Sequence, residues 1–240
     1  MNYLTNREIK GISRDKMLGK YGTATGAFLL MRGICYLLLD ICAYAANPGG
    51  LIYLLIVFIL SLIEGIFVYG EQKIYMKLSC GYETGMKDML SAFKTDADRA
   101  IFATFLYLLI LYVPIFVSAF VFGLAIGNKS FLSYAIICAV LLGIAEIYLL
   151  LRYSMVMLIM HDYPQMKVTD AYRKSAEIMK GRKKAFLGMF ISFIPIHVLG
   201  FLTFFVGEIF IHPYYKMSKT EFYFDIVKPK ESKESIDIEV

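Results

Sequence analysis

Five runs of mostly apolar residues, near 21–46, 51–72, 101–126, 131–158 and 186–211, constrain this chain more than any other feature. Each holds the roughly 20 residues that a helix needs to cross a bilayer. Extra length allows tilt without fixing its angle. The chain is 58% hydrophobic and 19% charged, with a mean hydropathy of +0.61. A soluble domain of this length covers itself with more charge. The expected fold is all-α: a polytopic membrane helix bundle of five transmembrane helices, or six if the last apolar run is split, with basic amphipathic interfacial helices.

The charge pattern predicts an orientation. Five Lys/Arg fall in residues 1–20, five in 72–99 and seven in 161–185, whereas the short connections ANPGG and GNKS carry one between them. Cytoplasmic loops are enriched in Lys and Arg. The alternation places the N-terminus and the long basic loops in the cytoplasm and the two tight turns outside, in the plasma membrane. Residues 1–20 lack the short apolar core and cleavage site of a signal peptide, so the first helix reads as a retained anchor. The basic loops would attract anionic inner-leaflet lipids, with Lys16, Lys20, Arg173, Lys180, Arg182 and Lys183 as headgroup contacts. No nucleic-acid partner is called for.

Each basic segment has a helical apolar stripe. Met86, Met89, Leu90 and Phe93 share one face near 84–94, and Val168, Ala171, Tyr172, Ile178 and Met179 another near 167–181, with Gly181 a fitting stop. Ile9, Ile12 and Met17 form a weaker stripe in 1–20. Such helices suit the membrane interface. The domains expected are an interfacial helix over 1–20, a transmembrane domain over 21–213, and an amphipathic then disordered tail over 214–240. The chain also reads as three units, each a basic helix followed by apolar helices. The first two units end in hairpins at the two turns, and the third has one long helix and the tail. Five passes would put the C-terminus outside. Lys216, Lys219, Lys228, Lys230 and Lys233 argue against that, and a last helix split near Pro195 would return it.

Ionisable residues inside apolar runs cost several kcal/mol unless they face the bundle or snorkel. Arg32, Glu64, Glu146 and His197 all fall within roughly 5–6 Å of the expected midplane at 1.5 Å rise per residue, and are the candidate polar network. Asp40, Glu71, Arg152 and Glu208 are secondary candidates nearer the faces. Glu146 and Arg152 are about 9 Å apart along the axis and about 120° around it, poor partners for each other. Such groups mark an ion or substrate path, or a salt-bridge knot that fixes packing. The sequence leaves both readings open.

Signatures of chemistry are missing. There is no H-E-x-x-H zinc motif, no G-x-S-x-G elbow and no Walker A loop. His161, His197 and His212 are scattered over the expected depth. Cys35, Cys42, Cys80 and Cys138 form no C-x-x-C pair and read as small buried hydrophobes. No cofactor, metal or catalytic residue is expected.

Arg7-Glu8-Ile9-Lys10, Arg14 and Leu18-Gly19-Lys20-Tyr21-Gly22 resemble the opening of a family of integral membrane proteins from Gram-positive bacteria, domain of unknown function 975. Ser175–Gly181, Ser192-Phe193-Ile194, Pro213-Tyr214 and Thr220-Glu221-Phe222-Tyr223 resemble its closing half. The chain departs at Ile12-Ser13 and at Pro195-Ile196. The resemblance implies a multi-helix bacterial membrane protein and brings no catalytic residues. The function expected is non-enzymatic: an accessory to an envelope or export system that binds lipid, a membrane-protein partner or a second copy. A small transporter or proton-coupled permease using Arg32, Glu64, Glu146 and His197 is the alternative, and a membrane enzyme ranks last.

Overall fold

The computed structural model describes residues 3–45, 47, 50–126, 129–203 and 206–227. Most of the ANPGG and GNKS turns and the tail over 228–240 lie outside them. The described residues form helices and no strands: α1 (Asn6–Met17), α2 (Tyr21–Ala45), α3 (Leu51–Ser79), α4 (Met86–Leu90), α5 (Ala92–Thr95), α6 (Ala97–Ala125), α7 (Lys129–Arg152), α8 (Val156–Asp162), α9 (Val168–Ile178), α10 (Lys183–Ile191), α11 (Ile194–Leu202) and α12 (Glu208–Val227). Five spans are long and apolar enough to cross a membrane: α2, α3, α6, α7 with α8, and α10 with α11.

Local chemistry sets the ends of these helices. The Thr5 hydroxyl accepts the Glu8 N–H and the Glu8 carboxylate accepts the Thr5 N–H, a reciprocal cap at the start of α1. Gly19, Gly81 and Gly181 have φ of 74°, 82° and 82°, a region that only glycine enters cheaply. The break between α7 and α8 is bridged from α9. The Ser175 hydroxyl accepts the Met155 N–H at 3.3 Å and donates to the Arg152 carbonyl at 3.0 Å. One side chain thus satisfies two backbone groups that the broken ladder leaves over.

The buried core lies at one end of the bundle. Ile9, Ile159, Met160, Met179, Met189, Phe193 and Phe222 are fully buried there, beside Met17, Ile74, Tyr75, Met89 and Met217. Away from that end, α6 and α7 pack chiefly on each other. Phe116 (70%), Phe120 (68%) and Leu141 (62%) are exposed. Side chains of this kind in such numbers belong against hydrocarbon, where helices satisfy their own backbone groups. Two glycines on α3 permit close approach. A Cβ on Gly65 would meet the Thr104 hydroxyl of α6 at 2.0 Å, and one on Gly70 the Met89 carbonyl of α4 at 2.1 Å.

The structure corrects several boundaries. The helix near 51–72 runs on to Ser79. The helix near 131–158 breaks after Arg152. The single helix near 186–211 is α10, α11 and the first turn of α12. A domain boundary at 213/214 would cut α12, which continues through Pro213. The proline does bend the chain's course at Phe193, where α11 begins with Pro195 in its first turn. The reversal comes later. Gly200 and Gly207 let α12 turn back against α11, where a Cβ on Gly207 would meet the Gly200 Cα at 2.7 Å. Each basic helix therefore precedes an antiparallel pair, α2 with α3, α6 with α7, and α10–α11 with α12. The Leu4 N–H bonds Asp225 near the end of α12, so both ends of the described chain meet.

Candidate functional site

Of the four midplane candidates, Arg32 and Glu64 pair with each other, His197 pairs with Glu208, and Glu146 is left over. Arg32 Nη1 donates to Glu64 Oε1 at 3.0 Å, between α2 and α3. His197 Nδ1 lies 2.9 Å from Glu208 Oε1, between α11 and α12. Glu146 joins neither and sits half-buried on α7, within electrostatic reach of Tyr107. A single network of Arg32, Glu64, Glu146 and His197 is therefore corrected. Depth along each helix is readable from sequence, but position around the bundle is not.

Among the secondary candidates, Asp40 is exposed. Arg152 stacks its guanidinium 5.5 Å from the Tyr153 ring, with Nε buried and unpaired. Glu208 holds His197. Glu71 is the most demanding residue: it is 0% exposed. The Tyr75 hydroxyl donates to its Oε1 at 3.2 Å, His212 Nε2 lies 3.1 Å from the same oxygen, and Lys216 Nζ lies 3.4 Å from Oε2. His212 in turn stacks on Phe28, with ring centroids 4.2 Å apart. A buried carboxylate requires such partners.

Three of the expected headgroup residues have bonds within the protein itself. Lys16 pairs with Glu221 at 2.7 Å and donates to the Ser79 carbonyl, and the Ser79 hydroxyl also bonds Glu221. Arg182 pairs with Asp225 at 3.1 Å and stacks 3.8 Å from the Tyr3 ring. Lys183 donates to the Tyr148 hydroxyl. The partners of the first two are acidic groups of α12, which come from the far end of the sequence. Arg173 and Lys180 are exposed, and Lys20 is half-buried. Lys10, too, turns inward: it donates to the Ser192 carbonyl and lies 4.3 Å from the Phe193 ring, where burial pushes its pKa down.

A cavity of about 720 Å³ lies between α3, α6, α7–α8, α10 and α12. One face of α3 lines it with Ser61, Glu64, Gly65, Val68 and Gln72, at helical spacing. Its walls are apolar: Leu108, Leu111, Ile147, Leu150 and Phe186 contribute. Tyr112 (38%), Ile147 (52%) and Phe190 (45%) lie on its lining and are also exposed, so the cavity opens toward the membrane-facing surface. Lys216 and Lys219, on successive turns of α12, and Gln72 form a polar end. The Tyr172 phenol of α9 also lines it. Burial, then Tyr107 and Tyr153, push its pKa well above the usual phenol value, and the neutral group donates to the Ala103 carbonyl at 2.8 Å. The volume lies in the range of small-molecule sites, about 300–1,000 Å³.

Gln72, Lys216 and Lys219 were not candidates from sequence. A signal was present: Glu208, His212, Lys216 and Lys219 recur every three or four residues, one charged stripe on a helix. Reading 214–240 as a tail concealed it.

This fold and site define a multi-pass α-helical membrane protein with a cavity inside its helix bundle. The chain belongs to the family described as Protein of unknown function (DUF975), which matches residues 1–230. No curated protein and no solved structure gives a significant match.

Proposed function

We propose that the protein is a non-enzymatic plasma-membrane protein that binds an anionic amphiphile in the bundle cavity, as an accessory to an envelope or export system. One observation carries this reading: an apolar cavity that opens laterally through Tyr112, Ile147 and Phe190 and ends in Lys216 and Lys219. An acyl chain suits the walls and an anionic head suits the amines. The Lys/Arg-rich segments at the α1 end support a cytoplasmic N-terminus. Because the described chain ends meet there, the reading places Val227 in the cytoplasm as well.

The permease reading retains one supporting feature, that Glu64 lines the cavity. It needed Arg32, Glu64, Glu146 and His197 to converge, and Glu64 is held by Arg32 instead.

The test is native mass spectrometry of protein extracted gently from its own host membrane. A retained lipid or lipid-like anion, lost when Leu108→Trp fills the cavity, is the expected result. A bare protein that retains no amphiphile under any mild extraction overturns the reading. A stoichiometric protein partner seen beside the lipid would identify the system it serves.

A further inference from the structure

The polar end of the cavity makes more specific demands than charge alone. Gln72 is 1% exposed, lines the cavity, and its side-chain oxygen has no hydrogen-bond partner. A buried acceptor left unpaired is costly and calls for a donor. The walls around it supply none to it. Two lysines of α12 line the same cavity. Lys216 leans on Glu71, at 3.4 Å. Lys219, one turn further on, lines the cavity and makes no hydrogen bond or ion pair among the described residues. Glu64, an acid on the lining, lies about 12 Å from Gln72 along α3 by helix rise and is held by Arg32. The polar end therefore holds two lysine amines and a carboxamide oxygen that needs a donor, while Glu71 beside it is taken up by Lys216 and His212.

Resting on the reading of the cavity as an amphiphile site, we propose that its polar end recognises a phosphodiester lipid headgroup bearing a hydroxyl. The phosphate oxygens accept from Lys219 and Lys216, and the hydroxyl donates to Gln72 Oε1. The acyl chain lies along Leu108 and Leu111. This selects a phosphoglycerol-type headgroup over a phosphodiester without a hydroxyl, and both over a zwitterionic choline headgroup, whose quaternary ammonium has no proton to donate and faces two lysines.

The experiment uses the full chain in neutral detergent. It is incubated with an equimolar mixture of phosphatidylglycerol, phosphatidylmethanol and phosphatidylcholine of identical acyl chains, and bound lipid is counted by native mass spectrometry. Phosphatidylglycerol is expected to exceed phosphatidylmethanol by about fivefold to tenfold, the effect of one hydrogen bond to a buried acceptor. Phosphatidylmethanol is expected to exceed phosphatidylcholine. Lys219→Met lowers both anionic lipids about tenfold or more, and Lys219→Arg restores them. Gln72→Met, near in volume to the native residue, removes only the difference between the two anionic lipids.

Equal binding of phosphatidylglycerol and phosphatidylmethanol by the unaltered protein overturns the headgroup assignment, and requires no variant to fold. If both still exceed phosphatidylcholine and still depend on Lys219, the amphiphile reading stands without it. Equal retention of all three lipids, unchanged by Lys219→Met and by Leu108→Trp, overturns both. Displacement of lipid by glycerol phosphate alone, at the same concentration, overturns the lipid as ligand and leaves a soluble phosphate in its place.

Discussion

The backbone N–H of Leu4 donates to both carboxylate oxygens of Asp225, at 3.0 and 3.2 Å across 221 residues of sequence. The same carboxylate receives Arg182 at 3.1 Å. One nearly buried acid thus ties the start of the chain, the loop before α10 and the end of α12 together. Removing it leaves Arg182, itself mostly buried, without its charge partner.

Asp225→Ala should therefore destabilise the protein by about 3 kcal/mol, the cost of orphaning one member of a buried pair. In a detergent thermal melt the midpoint should fall by roughly 6–12 °C. An unchanged midpoint would mean that α12 is held by its apolar face alone.

The acids differ sharply in their surroundings, so neutralising them should give a ranked series. Glu71→Gln leaves His212 and Lys216 without their buried anion and should cost about 3–5 kcal/mol. Glu64→Gln breaks a half-exposed pair with Arg32 and should cost less. Glu146→Gln should change the melt by no more than about 0.5 kcal/mol. A reversed order, with Glu146 the most sensitive, would contradict the geometry.

Gly70→Ala should destabilise by about 1–3 kcal/mol or more, because the new methyl meets the Met89 backbone carbonyl, which cannot swing aside as a flexible side chain can. Gly33→Ala is the control. Nothing lies within 4 Å of a Cβ there, and alanine in a helix interior is about 0.5–1 kcal/mol better than glycine. Paired melts of the two variants should move in opposite directions.

Asp88 provides a local pH response. Its partial burial favours the neutral form, but bonds from Lys77 and from the Gly85 N–H outweigh that and hold the pKa below the usual carboxylate range. A folded pKa below the unfolded one contributes stability above the unfolded value, about pH 4, and loses it as pH falls through the folded value. Amide exchange of residues 85–95, corrected for intrinsic rate, should accelerate below about pH 4. Lys77→Met should shrink that acceleration, because the folded pKa of Asp88 then rises toward the unfolded one. An acid response of unchanged size in Lys77→Met would show that the pair does not hold α4.

The apolar runs alone determined that this chain is an all-α bundle of membrane-spanning helices. Twenty oily residues admit few other solutions, since the bilayer acts on each segment independently of the rest of the chain. Sequence spacing also ruled out a bond between Glu146 and Arg152, a matter of rise and rotation within one helix. The helices near 84–94 and 167–181 were legible for the same reason, as α4, α5 and α9. Partnership between helices was another matter. Whether Lys16 and Arg182 reach toward headgroups or toward Glu221 and Asp225 depends on where α12 goes. That path depends on the close contact of Gly200 and Gly207 near its start. The candidate site was hidden by the same turn, since Lys216 and Lys219 come to line one cavity with Gln72 only once α12 has folded back beside α3. Local periodicity is written in consecutive residues, whereas packing partners are chosen by contacts between segments as much as 221 residues apart, and only the tertiary structure decides those.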